Sequence, residues 1–137
     1  MGPPCSGKSR FVRENKQDGD IIVDLDEICF ALGSDVSHGA RGVYLSAGIA
    51  ARNAVIDYIA KKQCSAWIIH TSPNAAQKKW YGSHGAVFHV IDPGQDECMR
   101  RAKENMRPNG TDHAIRKWYS KNKKEVTLQE NKCSREW

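Results

Sequence analysis

Short apolar runs alternate with longer amphipathic stretches along this chain. Continuous apolar or β-branched runs lie at residues 21–23, 66–69 and 87–91, each closed by polar or turn residues. Such runs are typical of strands buried in a parallel sheet. Apolar residues spaced three and four apart predict a helix over residues 44–62, and shorter helices are expected over residues 8–16, 73–80, 95–106 and 111–122. Strands that alternate with helices indicate an α/β fold with a parallel sheet.

The remaining stretches are polar or rich in turn residues. Residues 27–32 predict a helix or a turn, and residues 33–42 a loop. We expect Ser72 to cap the helix that follows, with Pro73 at its first position, and Thr111 to cap the last helix. These elements define one domain over residues 1–122. Residues 123–137 form a polar, basic tail with one short strand expected at residues 125–128.

Composition narrows the class of protein. With 137 residues, 39% hydrophobic and 27% charged, the chain fits a single globular domain, and no apolar run is long enough to enter a membrane. The five cysteines are odd in number and widely spaced, without a Cys-x-x-Cys pair. Reduced thiols in a cytoplasmic protein are therefore expected.

The net charge of +5 is concentrated in the last third of the chain. Residues 98–137 hold eleven Lys/Arg and five Asp/Glu, a net of +6. A polyanion such as nucleic acid is one partner that this basic region could bind. A solvated helical surface, with some arginines directed at a nucleotide, is the other interpretation, and charge alone does not separate the two.

The N-terminal segment carries the strongest motif. Gly2-Pro3-Pro4-Cys5-Ser6-Gly7-Lys8-Ser9 matches the Walker A pattern at every fixed position. In this motif backbone N–H groups surround phosphate oxygens, and the positive end of the next helix faces them. Lys8 is then placed for the outer phosphates and Ser9 for Mg²⁺. We therefore expect ATP as ligand and Mg²⁺ as cofactor.

Two carboxylates follow the first apolar run. Asp24 and Asp26 are one residue apart, so on an extended strand both would point to the same face. Asp26 is the candidate general base toward an acceptor hydroxyl, and Asp24 a candidate Mg²⁺ ligand. Either carboxylate could instead cap a helix that begins near Glu27.

Other polar side chains are weaker candidates. Arg100 is assigned to nucleotide binding, and Arg101 and Arg107 to stabilising the transferred phosphoryl group, although surface solubility explains at least one of the three. His70 closes the second apolar run as a strand-end residue or a substrate contact. The other histidines (His38, His84, His89 and His113) are assigned no role, and core packing is favoured for Trp80, Tyr81, Trp118 and Tyr119.

A P-loop normally follows a hydrophobic strand, and here only Met1 precedes Gly2. We expect either a start further upstream or a sheet that lacks its first strand.

Residues 1–122 resemble the small P-loop kinases of the polynucleotide 5′-kinase and zeta-toxin type, many of them encoded by phages. The resemblance implies a three-layer α/β/α fold and places Asp26 as the base within Val23-Asp24-Leu25-Asp26-Glu27. It also implies a lid that contains Arg100, Arg101 and Arg107. The chain departs from the family at Cys29, where an arginine is frequent, and at His70, where an aspartate is frequent.

Three functions follow from these patterns. The first is a kinase that transfers the γ-phosphate of ATP to a hydroxyl on a nucleic-acid 5′ end, a nucleotide or another small molecule. The second is a nucleotide-binding accessory protein or regulatory ATPase without kinase activity, which the departures at Cys29 and His70 favour. The third is a degenerate relative of such proteins with only a structural function.

Overall fold

The computed structural model describes residues 1–133, and their side chains as far as residue 122. Within that part the chain is a mixed α/β protein with six helices and a two-stranded sheet. In chain order the elements are α1 (Lys8–Asn15), β1 (Ile21–Val23), α2 (Leu25–Ala31), α3 (Gly42–Lys62), β2 (Ala66–Ile68), α4 (Ala75–Ser83), α5 (Gln95–Glu104) and α6 (Thr111–Cys133).

The chain divides into two compact units. The larger unit contains Met1–Gly2 and Gly7–Ile91, and the smaller contains Pro3–Ser6 and the chain from Asp92 onward. In the larger unit β1 and β2 pair in parallel, with Ile22 opposite Trp67. The predicted parallel pairing of these two runs is confirmed.

The core of the larger unit forms where the sheet meets the helices. Val23, Ile56, Ile59 and Tyr81 are buried together and join β1, α3 and α4. Helix α2 packs against α3 at Gly48, where an added Cβ would lie 2.4 Å from the Sγ of Cys29. Only a glycine lets the two helices approach this closely.

The smaller unit is built on a helical pair. Cys98 and Ala102 of α5 are buried with Ile115 of α6. The hydroxyl of Tyr119 donates to Oδ1 of Asp92 and lies 3.8 Å from the Sγ of Cys98. Burial raises the pKa of the Cys98 thiol and of the Tyr119 hydroxyl, so both groups are neutral at pH 7.

Three predictions are wrong: one expected strand and the capping residues of two helices. The strand expected at residues 125–128 lies inside α6, because Lys, Glu, Gln and Leu are good helix formers and extending a helix is easier than starting a new element. Asn74, rather than Ser72, caps α4 through a capping box with Gln77. Helix α6 begins at Thr111 itself, whose hydroxyl donates to the carbonyl of Pro108.

Residues 87–91 do not form the strand that the sequence predicts. They are not assigned to a strand, and Val87, Phe88 and Val90 expose much of their side chains. The amino group of Met1 nevertheless donates to the carbonyl of His89, and the N–H of Ile91 donates to the carbonyl of Met1. Two such bonds around one residue are the pattern of a parallel strand pair. The N–H of Gly2 donates in turn to the carbonyl of Thr71, beyond β2.

Candidate functional site

The segment that precedes α1 has an unusual backbone conformation. Gly7, at the N-cap of α1, has φ 97° and ψ 19°, a conformation that favours glycine. Cys5 also has a positive φ, 62°, although it is not a glycine. Residues in such strained regions cluster at ligand sites. The N–H of Ser6 donates to the carbonyl of Pro3, which closes a turn in this segment.

Lys8 and Ser9 are the first two residues of α1. The Nζ of Lys8 donates to the carbonyl of Gly2 at 3.0 Å, so its ammonium group points back along the loop. The Oγ of Ser9 lies 3.2 Å from Oδ2 of Asp24, which follows β1. The structure therefore brings together two residues that the sequence assigned to the same metal ion.

Asp24 does not share a strand face with Asp26, and that sequence expectation is wrong. Strand β1 ends at Val23, and Asp24 is the N-cap of α2, where its Oδ1 accepts from the N–H of Asp26 at 3.1 Å. The capping alternative is thus confirmed for Asp24, because short acidic side chains satisfy the free N–H groups at a helix start. The same carboxylate still reaches Ser9 through its other oxygen.

Asp26 lies in the first turn of α2 and faces a different neighbour. Its Oδ2 is 3.0 Å from Nδ1 of His38, and its Oδ1 accepts from the N–H of Gly39 at 3.3 Å. Sequence reasoning assigned His38 no role. Twelve residues and a loop separate the two side chains, so no periodic spacing could have revealed the pair.

The end of β2 has a different character. His70 is partly buried, and its ring centroid lies 6.0 Å from that of Tyr81. Burial lowers the pKa of His70 to about 4, with a further contribution from the Arg52 guanidinium, so the ring is neutral at pH 7. Among the described residues, no group hydrogen-bonds the buried Nε2 of His70 or the buried Nε of Arg52.

The three predicted lid arginines occupy different positions in the smaller unit. Arg100 pairs with Glu97 and Glu104 on its own helix and is exposed. Arg101 binds Glu97 and donates from one nitrogen to the carbonyls of Cys5 and Ser6, at 3.4 and 3.2 Å. These two arginines hold the pKa of Glu97 at about 2 through hydrogen bonds.

Of the three, only Arg101 is placed on the N-terminal segment by these contacts. Arg107 lies after α5, where its backbone N–H donates to the carbonyl of Ala102. Arg100 is engaged by its own helix. Pro3 is fully buried, and the buried hydroxyl of Ser6 has no hydrogen-bond partner among the described residues.

A cavity of about 150 Å³ lies in the larger unit between α1, β2 and residues 86–91. Its lining is mainly apolar and aromatic. The rings of Phe11, Trp67 and His89 approach one another at its side, with centroids 5.4 to 6.1 Å apart. The cavity also touches Lys8 and His70, but neither Ser9, Asp24 nor Asp26 lines it.

Across the part of the chain that the structure describes, no three His, Cys, Asp or Glu side chains cluster as a metal site would require. Within residues 1–133 no helix has both the length and the apolar character to span a membrane. Comparisons with models of protein families, with curated proteins and with solved structures find no match.

Proposed function

We propose that this protein is a P-loop kinase that binds Mg²⁺-ATP and transfers the γ-phosphate to a hydroxyl acceptor. The observation that carries the proposal is the hydrogen bond between Ser9 and Asp24, at the start of the helix that follows the Walker A segment. In P-loop proteins a loop hydroxyl and an acidic residue beside it hold the metal that bridges the β- and γ-phosphates.

The donor atoms suit that metal. Mg²⁺ prefers oxygen ligands and is usually bound by one or two protein groups together with substrate phosphates and water. The Ser9 hydroxyl and the Asp24 carboxylate supply two such oxygens. Bound there, Mg²⁺ would neutralise charge on the transferred phosphoryl group.

The proposed fold is the three-layer P-loop fold. Support comes from Met1 and Gly2, whose backbone bonds run to residues 89 and 91 on one side and to Thr71 on the other. A backbone that bonds to segments on both sides behaves as part of a central strand in a parallel sheet. The positions of Asp24 and His70, each just after a strand of that sheet, agree with the rule that ligands bind at the carboxyl ends of strands.

Each residue has a distinct role in the proposed reaction. The N–H groups of the Gly2–Ser9 segment surround the phosphates, and Lys8 exchanges its bond with Gly2 for one with the outer phosphates. The carboxylate of Asp26 is the candidate general base that removes the acceptor proton. Transfer needs a base because the acceptor hydroxyl must lose its proton as its oxygen bonds to phosphorus.

The arginines of the smaller unit remain predictions. We assign Arg101 and Arg107 to stabilising the phosphoryl group, and Arg100 to the nucleotide. The bonds from Arg101 to the carbonyls of Cys5 and Ser6 add a second role, in which its guanidinium holds the turn of the loop in place. The basic character of this region favours a polyanionic acceptor, with nucleic-acid 5′ ends first among the candidates.

The decisive experiment measures transfer from γ-labelled ATP to three acceptors: a 5′-hydroxyl oligodeoxynucleotide, a nucleoside monophosphate and a simple polyol. We expect labelled product with at least one acceptor, dependence on Mg²⁺, and none with Lys8→Ala. The absence of product with all three acceptors in the wild-type protein would overturn the kinase proposal.

A second candidate is a nucleotide-binding accessory protein without kinase activity. His70 favours it, because a neutral imidazole at the end of β2 is a poor ligand for Mg²⁺. Cys29 favours it too, since its buried side chain packs beneath α3 and offers no charge to an acceptor. A protein of this class would gain thermal stability with Mg²⁺-ATP and show no transfer to any acceptor.

A further inference from the structure

Asp26 and His38 form a carboxylate–imidazole pair, of which only the carboxylate has a role in the proposed reaction. Oδ2 of Asp26 lies 3.0 Å from Nδ1 of His38, and the N–H of Gly39 donates to Oδ1. Both oxygens of the carboxylate thus accept a hydrogen bond from the same loop. The two side chains keep 42% and 39% of their surface exposed, so solvent and a substrate can reach the pair.

The hydrogen bond to Asp26 determines which nitrogen of the His38 ring carries a proton. An ionised carboxylate only accepts hydrogen bonds, so Nδ1 of His38 must carry the proton that faces Asp26. Nε2 of a neutral ring then holds a free lone pair on the opposite side. Asp26, in contrast, is already bonded through each oxygen. Of the two residues, His38 therefore has the freer proton-accepting atom.

We propose that His38, rather than Asp26, is the general base of this protein, and that Asp26 is a positioning residue that orients the ring and stabilises its protonated form. The proposal rests on the kinase function above. As the acceptor oxygen bonds to the γ-phosphorus, the bond from that phosphorus to the β–γ bridging oxygen breaks and ADP leaves. The acceptor proton moves to Nε2 of His38, and the Asp26 carboxylate stabilises the imidazolium that results.

A chain of hydrogen bonds ties the pair to the metal-binding residues. Ser9 bonds to one oxygen of Asp24, the other oxygen of Asp24 accepts from the N–H of Asp26, and the carboxylate of Asp26 meets His38. The base and the proposed Mg²⁺ ligands are therefore held by one short turn, residues 24–26. The loop between α2 and α3 brings the imidazole of His38 to this turn, where it contacts Asp26.

The first test compares His38→Asn with His113→Asn. The amide nitrogen of asparagine replaces Nδ1 and keeps the bond to Asp26, while the proton acceptor at Nε2 is lost. We expect His38→Asn to lower the rate of transfer by ~10²-fold or more, with ATP binding retained. His113 is exposed on α6 and serves as the matched control, with an unchanged rate.

A spectroscopic test needs no turnover. In ¹⁵N-labelled protein the ring shifts of His38 report which nitrogen carries the proton. We expect protonated Nδ1 and bare Nε2 above neutral pH in the wild type, and loss of that preference in Asp26→Asn. The opposite tautomer in the wild type would overturn the proposal.

The outcomes distinguish this inference from the proposed function. If the wild type transfers phosphate and His38→Asn matches it, the kinase survives and the role of His38 is rejected. If the wild type transfers phosphate to none of the three acceptors, the kinase fails and the role of His38 fails with it, whatever the tautomer.

Discussion

The ends of β1 and β2 lie side by side in the sheet, yet their chemistry is opposite. After β1 come two carboxylates that bind Ser9, His38 and two backbone N–H groups. After β2 comes His70, which burial keeps neutral and which has an Nε2 that no described group satisfies. The Gly2–Ser9 segment bonds to both ends, through Ser9 on one side and Gly2 on the other. In the proposed reaction the chemistry therefore belongs to the β1 end, whereas the β2 end supplies packing.

We expect the largest effect from a substitution that abolishes binding of ATP. Lys8→Ala deletes the ammonium group that we assign to the outer phosphates. Wild-type protein with Mg²⁺-ATP at a hundredfold its Kd should gain about 2.7 kcal/mol in the free energy of unfolding, and the variant should gain nothing. Thermal melts with and without ligand measure the gain. Arg13→Ala, on the exposed side of the same helix, is the control. An undiminished gain in Lys8→Ala would contradict the assignment.

The next change tests the β1 end alone. Asp26→Asn keeps the shape of the side chain but weakens the hold on His38, so transfer should fall by ~10²-fold while ATP affinity stays nearly the same. Asp24→Asn should lower transfer less and raise the Mg²⁺ concentration needed for half-maximal rate, because Asp24 faces Ser9. Initial rates across a Mg²⁺ series measure both effects. Equal behaviour of the two variants would show that the carboxylates share one role.

A substitution between α2 and α3 should displace the residues after β1 and leave those after β2 in place. In Gly48→Ala the new Cβ would lie 2.4 Å from the Sγ of Cys29, so α2 must move and carry Asp26 with it. We expect a loss of about 1–3 kcal/mol in the free energy of unfolding, measured in urea. The double variant with Cys29→Ala removes that sulfur and should recover most of the loss. No recovery would mean that the strain lies elsewhere.

The smallest effect concerns the β2 end. The folded protein holds the pKa of His70 at about 4, below the 6.5 of a free histidine. Between these values the unfolded chain binds the proton and the folded chain does not, so stability should fall as pH falls from 6.5 to 4. Because the ring is partly exposed, we expect roughly 1 kcal/mol. Urea unfolding at pH 7 and pH 4.5 measures the loss.

The variant His70→Asn should flatten this dependence on pH, whereas the exposed control His113→Asn should keep it. If His70→Asn keeps the same loss between pH 7 and pH 4.5, other groups cause it. The contrast between a charged β1 end and a neutral β2 end would then need a different explanation.

Local patterns in the sequence were sufficient for some elements and for one part of the site. The β-branched run before Asp24 and the apolar run before His70 predict the two strands, and their parallel pairing follows from the alternation with helices. The link between Ser9 and Asp24 also follows, because a P-loop helix and the end of the next strand converge at one edge of a sheet.

Other features depend on contacts that no local pattern contains. The partnership of His38 with Asp26 depends on how a loop of ten residues folds back over α2. Residues 87–91 are not assigned to a strand, although His89 and Ile91 bond to the backbone of Met1. Residues 125–128 continue α6 even though Val126 and Thr127 are β-branched, because extending an existing helix is easier than starting a new element.

Because Asp24 bonds to Ser9 and to the N–H of Asp26 at the same time, the amide proton of Asp26 should report on changes at Ser9. That proton bonds to one oxygen of the carboxylate whose other oxygen binds Ser9. A ligand that draws the second oxygen away changes the electron density at the first, and the change is visible as a shifted amide resonance and altered hydrogen exchange. A single peak in a two-dimensional spectrum would follow occupancy of the proposed phosphate site without a label on the ligand.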